Sequence, residues 1–129
     1  MLAIDTNVIV RYLVNDDPGQ AARARKLIDN NDVFVCTTVV LETEWVLRAG
    51  YGFSAIQCAR VLGDFAGLPR VTLEDAAAVA KAIGWMRQGM DFAGGLHLAK
   101  AEGCNAFISF DQDFARAAEA LGALKIRAP

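Results

Sequence analysis

The sequence predicts one α/β domain over residues 1–129, built in three layers with a mainly parallel central sheet flanked by helices. Short runs rich in β-branched and aromatic residues alternate with longer segments of helical periodicity, which is typical of this class. A length of 129 residues is enough for one hydrophobic core but too little for two. The predicted strands are 2–4, 33–36, 70–72, 106–109 and 125–127.

The predicted helices occupy the segments between these strands, and several have recognisable ends. Asp17 followed by Pro18 is a typical start, Ser54 is a good N-cap, and Gly50, Gly67 and Gly103 are helix stops. Thr38 is expected to cap the helix that carries residues 39–48. The predicted helices are 18–30, 38–48, 54–65, 74–88, 92–102 and 114–121.

Composition excludes several classes of protein. The chain is 54% hydrophobic, yet charged residues interrupt every apolar run before the roughly 20 residues that a membrane span needs, so no membrane is expected as a partner. No secretion signal is recognisable, which favours the cytoplasm. Cys36, Cys58 and Cys104 form no CxxC pair and are expected to be buried thiols. With a net charge of −2, any affinity for nucleic acid must come from local arginines or from a partner protein.

Four acidic residues mark the points where strands pass into helices or where helices open: Asp5, Glu42, Asp91 and Asp111. Asp5 directly follows a predicted buried strand, at the edge where open α/β sheets bind their ligands. Carboxylates gathered at one edge repel each other unless a hard cation joins them, and oxygen ligands suit Mg²⁺ or Mn²⁺. The pattern therefore favours metal-dependent cleavage of a phosphodiester.

The helix around Glu42 is apolar on most of its circumference, so we expect it to be buried together with Trp45. A buried carboxylate needs either a cation or a structural ion-pair partner such as Arg48. Glu44 is expected to face solvent.

Four segments combine these acidic positions with characteristic neighbours: LAIDTN at 2–7, VVLETEWVLR at 39–48 with Tyr51 and Gly52 after it, DFAGGLHLA at 91–99, and FISFDQDF at 107–114. In this order they resemble the PIN-domain ribonucleases, and among them the VapC-like toxins of type II toxin–antitoxin pairs. Together they cover essentially the whole chain. The resemblance implies a PIN-like fold.

The resemblance also implies which residues form the site. Asp5, Glu42 and Asp111 match metal-binding carboxylates, while Asn7 and Ser109 match positions that orient ligands or water. Gly94 stands where the family usually has a further Asp. Asp91, three residues earlier, is either the N-cap of the helix that begins at Phe92 or a water-bridged replacement ligand. Asp113 rather than Asp111 is expected to cap the last helix.

The implied activity is an Mg²⁺- or Mn²⁺-dependent endoribonuclease, impaired to the extent that Gly94 removes a ligand. The implied partners are an RNA substrate, a cognate antitoxin and a second copy of the chain in a homodimer. Two alternatives stay open: a catalytically inactive toxin-like module that binds an antitoxin, and a metal-dependent phosphatase or nuclease that acts on DNA.

Overall fold

The computed structural model describes all 129 residues and contains five short strands, seven α-helices and one π-helix. The chain divides into two compact units, residues 1–76 and residues 77–129. All strand pairs are parallel, as the sequence predicts. No helix combines the length and the apolar character needed to cross a membrane.

The first unit contains a three-stranded sheet with the order β1-β2-β3. Val33 and Val35 of the central strand are fully buried, and the first helix packs on the second and third helices. Its elements are β1 (Leu2–Ala3), α1 (Thr6–Leu13), α2 (Pro18–Asn30), β2 (Val33–Val35), α3 (Thr37–Trp45), the π-helix (Val46–Gly50), α4 (Ala55–Ala66) and β3 (Val71–Leu73).

The second unit has a two-stranded parallel sheet and its own apolar cluster. Met90, Leu98, Ala118 and Ile126 form the buried centre of that cluster, and the Phe114 ring packs against it. The elements are α5 (Ala76–Arg87), whose first residue belongs to the first unit, α6 (Phe92–Lys100), β4 (Phe107–Ile108), α7 (Gln112–Ala120) and β5 (Ile126–Arg127).

The structure confirms the α/β class, and each of the five predicted strands forms within one residue of its expected ends. Ser54 caps α4 with a complete capping box, in which its side chain and that of Gln57 each accept a main-chain N–H from the other residue. Asp17 caps α2 with Pro18 at its first position. These helix starts use partners only a few residues away, which is why the sequence predicts them well.

The expected start of α3 is wrong. The N-cap is Cys36, not Thr38, and Cys36 makes no side-chain capping bond. Glu74, directly after β3, supplies the acceptor instead, because its Oε1 receives the Thr37 N–H at 2.8 Å. The helix that carries Glu42 is thus held at its N-terminus by a residue 37 positions away.

The expectation that all three cysteines are buried is also wrong. Cys58 is buried, Cys36 is half-buried and Cys104 is exposed. Burial raises the pKa of the Cys58 thiol, with a further contribution from the negative charge of Glu44. Cys58 is therefore a neutral packing residue at physiological pH.

Candidate functional site

In the first unit, Asp5 and Glu42 line one cavity of about 310 Å³. Asp5 follows β1 and is the N-cap of α1, where its Oδ1 accepts the Thr6 N–H at 2.8 Å. Glu42 lies on α3, which packs against α1. The remaining lining residues are Thr6, Asn7, Val10, Arg11, Val46 and Tyr51.

Thr6 links the two acidic positions of this cavity, because its N–H donates to Asp5 and its hydroxyl donates to Oε1 of Glu42. Thr6 itself is buried, at 6% exposure, so its side chain holds the exposed Glu42 carboxylate in one orientation. The sequence analysis did not single out Thr6. The sequence did contain a signal for Thr6, because it is a hydroxyl residue next to Asp5, which follows a predicted strand.

Three expectations about the neighbourhood of Glu42 are corrected. Arg48 forms its ion pair with Glu44 at 3.0 Å and not with Glu42. Glu44 is buried rather than solvent-facing, with a side chain only 4% exposed. Trp45 is exposed by 58%, so this helix is not buried all round. In α3, Trp45 and Glu42 are exposed and Glu44 is buried, so Glu44 is the carboxylate of this helix that needs a cationic partner.

A polar network at the rim of the cavity joins Arg11, Tyr51 and Asp16. The Tyr51 hydroxyl donates to Oδ2 of Asp16 at 2.8 Å and accepts from Nη1 of Arg11 at 3.1 Å. The hydrogen bond from Tyr51, and then the charge of Arg11, lower the pKa of Asp16. The bond to Tyr51, helped by Asp16, raises the pKa of Arg11. Arg11 is therefore permanently charged and held in place, and it lines the same cavity as Asp5 and Glu42.

Tyr51 reaches this position directly after the π-helix, a wider turn that often marks functional segments. The sequence analysis treated Tyr51 as a core residue by default, but it is half-buried and lines the cavity. Gly52 follows with φ of +70°, a conformation that favours glycine, and lets the chain turn away after Tyr51.

In the second unit, Asp91, Gly94, Ser109 and Asp111 line one cavity of about 430 Å³, together with Asp113. Asp111 is the N-cap of α7 and its Oδ1 accepts the Phe114 N–H at 3.0 Å, so the assignment of this cap to Asp113 is wrong. Asp113 instead pairs with Arg116. The Ser109 hydroxyl accepts the N–H of Asp111 at 3.0 Å and fixes the main chain there.

Asp91 caps α6, as one of its two sequence interpretations predicts. Its Oδ2 accepts the Gly94 N–H at 2.9 Å. A Cβ at position 94 would meet the Phe114 ring at 3.1 Å and Oδ2 of Asp91 at 3.4 Å. The glycine thus allows the Phe114 ring and the capping carboxylate to approach the helix closely.

The donor chemistry fits a hard divalent cation in part. Neither unit brings together three or more His, Cys, Asp or Glu side chains in an arrangement that could hold a metal ion. Mg²⁺ needs only one or two protein carboxylates with waters completing its octahedron, and the Asp5 and Glu42 pair satisfies that minimum. Both carboxylates are exposed, which leaves room for the waters.

Comparison with known proteins identifies the family of this chain. The model of the PIN domain family matches residues 2–120, and the chain therefore belongs to the PIN domain family. A solved structure with similarity to this chain is VapC20 of Mycobacterium tuberculosis, described as a toxin that cleaves the sarcin-ricin loop. The two share 20% identity with a TM-score of 0.47, over 98% of this chain and 99% of that one. The curated proteins contain no match.

Proposed function

We propose that the chain is an Mg²⁺- or Mn²⁺-dependent endoribonuclease and the toxin of a type II toxin–antitoxin pair. The observation that carries the proposal is the pair of exposed carboxylates, Asp5 and Glu42, in one cavity of a PIN-family chain. The proposal treats residues 1–129 as a single PIN-like domain, since the family match runs from the first unit into the second.

Asp5 and Glu42 would hold the cation, and the resemblance adds Asp111 to this set. The ion, when bound, supplies charge stabilisation at the scissile phosphate and a water of lowered pKa. Oxygen ligands suit both Mg²⁺ and Mn²⁺, so titration of each ion into the protein identifies the one that binds more tightly.

The chain's own residues prepare this site before any ligand arrives. The N-terminus of α1 orients Asp5, and Thr6 orients Glu42, so neither carboxylate has to be reordered on binding. Asn7 places an amide at the same cavity, where it orients water or a phosphate oxygen. Arg11, held by Tyr51, offsets negative charge that a bound phosphodiester brings.

The decisive experiment compares the parent protein with Asp5→Asn in cleavage of RNA under Mn²⁺. Asn is as good an N-cap as Asp, so the variant keeps α1, and its free energy of unfolding stays within about 0.5 kcal/mol of the parent. We expect loss of cleavage with the fold intact. Asp64→Asn is the matched control, because Asp64 is exposed on α4 and lines neither acidic cavity. Equal cleavage by the two variants would contradict the proposal.

A second function is favoured by Gly94, which leaves its cavity without the carboxylate that the family usually has there. In that case the chain is an inactive toxin-like module that binds an antitoxin. Absence of both RNA cleavage and Mn²⁺ binding in the parent protein, together with tight binding of an antitoxin, distinguishes this function. A DNA substrate in the same assay distinguishes a DNA-directed nuclease.

The proposal includes a cognate antitoxin, a homodimer and a cytoplasmic location, where RNA is available. Trp45 and Ile56, large apolar side chains that are 58% and 60% exposed, are the proposed contacts for a protein partner. Size-exclusion chromatography with light scattering tests the dimer. A monomer at tens of micromolar would contradict it, because obligate dimers persist at that concentration.

A further inference from the structure

A second cavity of the first unit, about 480 Å³, lies between α1 and α2 and has a basic rim. Its polar lining residues are Asn7, Arg11, Gln20 and Arg23. Its apolar lining residues are Val8, Ala24 and Leu27. No carboxylate lines it, in contrast to the two acidic cavities.

Helical geometry explains why only some of the charges of α2 face this cavity. Positions 20, 23, 24 and 27 follow the i, i+3, i+4, i+7 spacing and form one stripe of the helix. Arg23 lies on this stripe, is exposed and forms no ion pair. Arg25 is two residues further on, so its side chain leaves the helix in a nearly opposite direction, about 200° away.

Arg11 and Arg23 contribute to the cavity in different ways. Arg11 is fixed, because its Nε donates to Oε1 of Gln20 at 2.7 Å and its Nη1 lies 3.3 Å from Oδ1 of Asp16. Arg11 thus already has a carboxylate partner, Asp16, within the protein. Arg23 has no carboxylate partner, and its guanidinium remains available to an anion.

The basic cavity adjoins the Asp5 and Glu42 cavity, because Asn7 and Arg11 line both. A ligand that crosses α1 at Asn7 can therefore contact the carboxylates on one side and Arg23 on the other. A polyanion with a phosphate at regular intervals has the shape and charge for that path.

We infer that this cavity binds a backbone phosphate of a single-stranded RNA, next to the nucleotide whose phosphodiester is cut. The inference rests on the proposed ribonuclease function and assigns Arg23 as the phosphate-binding residue. Asn7 and the amide N–H₂ of Gln20 offer hydrogen bonds to ribose or base edges, while Val8 and Leu27 offer apolar contact to a base. A local basic cavity of this kind would also allow a chain with a net charge of −2 to bind RNA.

Charge-matched variants on one helix test the inference. Arg23→Gln and Arg25→Gln remove the same charge, and both residues are exposed on α2, but only Arg23 lines the cavity. Fluorescence anisotropy of a labelled single-stranded RNA, measured in chelator so that no strand is cut, gives Kd for each. Arg23→Gln should raise Kd about fivefold to tenfold. It should also make the negative slope of the log association constant against log salt concentration shallower by about 0.7, the value for one single-strand phosphate. Arg25→Gln should change Kd less than about twofold, since a distant exposed charge is screened.

The outcomes separate this inference from the proposed function. If the parent cleaves RNA while Arg23→Gln and Arg25→Gln bind it equally well, the phosphate site is refuted and the ribonuclease function stands. If RNA affinity depends on Arg23 but no RNA is cut, the site is supported and the ribonuclease function fails. If Arg23→Gln weakens binding of an acidic peptide such as polyglutamate but not of RNA, the cavity serves a protein partner and the inference is overturned.

Discussion

Introducing a carboxylate at position 94 is the sharpest test of the proposal that Gly94 impairs a metal-dependent ribonuclease site. Gly94→Asp places a fourth acidic side chain in the cavity that Asp91, Asp111 and Asp113 already line. The added Cβ would lie 3.1 Å from the Phe114 ring, so this ring must shift by a few tenths of an ångström. Phe114 packs edge-on against Phe107 with centroids 5.7 Å apart and is only half-buried, so the shift is possible at modest cost.

Three contributions determine the stability of this variant. Asp in place of Gly inside a helix gains about 0.3 kcal/mol of propensity. The tight contact with Phe114 costs about 1 kcal/mol, the low end for overpacking, because the ring has room on its exposed side. Repulsion from Asp91, whose Oδ2 would lie 3.4 Å from the new Cβ, costs up to about 1 kcal/mol in a solvated cavity.

Gly94→Asn separates these contributions because it has the same shape without the charge. In chelator, we expect Gly94→Asn to melt slightly below the parent and Gly94→Asp about 3 to 5 °C below Gly94→Asn, which corresponds to about 1 kcal/mol in a chain of this size. Saturating Mn²⁺ should reverse that order, because binding at 100 times Kd stabilises by about 2.7 kcal/mol. RNA cleavage should rise in Gly94→Asp alone. Cells that express it without an antitoxin should then stop growing.

Two results would refute this reasoning. Equal melting temperatures of Gly94→Asp and Gly94→Asn in chelator, with no response of either to Mn²⁺, would show that no acidic metal site involves position 94. Equal RNA cleavage by the parent and Gly94→Asp would show that the parent needs no carboxylate at position 94, because Asp91 or a water takes that role.

Two further predictions concern the charged side chains near Glu42. Arg48→Leu should lower the free energy of unfolding by about 2 kcal/mol or more, because it leaves the buried Glu44 carboxylate without its 3.0 Å partner. Glu44→Gln should cost less than about 1 kcal/mol, since the Arg48 side chain is 46% exposed and stays hydrated; equal losses in urea unfolding would contradict this asymmetry. Tyr51→Phe removes the largest cause of the lowered pKa of Asp16, so the Asp16 carboxyl should titrate closer to its ordinary value of 3.8 in an NMR titration. Because the pKa of Asp16 is depressed in the folded state, its stabilisation is present above pH 3.8 and is lost as the pH falls through the folded value. The stability difference between Tyr51→Phe and the parent should therefore close in acid, and a constant difference at all pH values would contradict the role of this hydrogen bond.

The sequence by itself determined the class of the fold, its strands and the residues that begin its helices wherever the capping partner is local. Ser54 bonds to a residue three positions later, and Asp17 does the same with Pro18 fixing the first turn. Such contacts join residues that are close in sequence, so residue type and spacing predict them. Asp5 follows β1 after one residue, Ile4, close to where the sequence predicts it. The expectation that this strand is buried is wrong, because Leu2 and Ala3 are both exposed and only Ile4 is buried.

The sequence analysis underestimated how many of the candidate site carboxylates also cap helices. Asp5, Asp91 and Asp111 each accept a main-chain N–H at the start of a helix, so each has a structural role in addition to its proposed one. Asp113 was expected to cap the last helix because it directly precedes the predicted start at Phe114, but α7 begins two residues earlier and Asp111 is its cap. Asp111 was preferred for the site because it follows the predicted strand 106–109 after one residue.

Only the tertiary structure decided what surrounds Glu42. The bond from Thr6 spans 36 positions, and the bond from Thr37 to Glu74 that begins α3 spans 37. The burial of Glu44 and the π-helix before Tyr51 are likewise features that the sequence analysis did not predict. A pattern of apolar residues shows that a helix has a buried side, but which polar residue shares that side depends on partners that folding brings from distant parts of the chain.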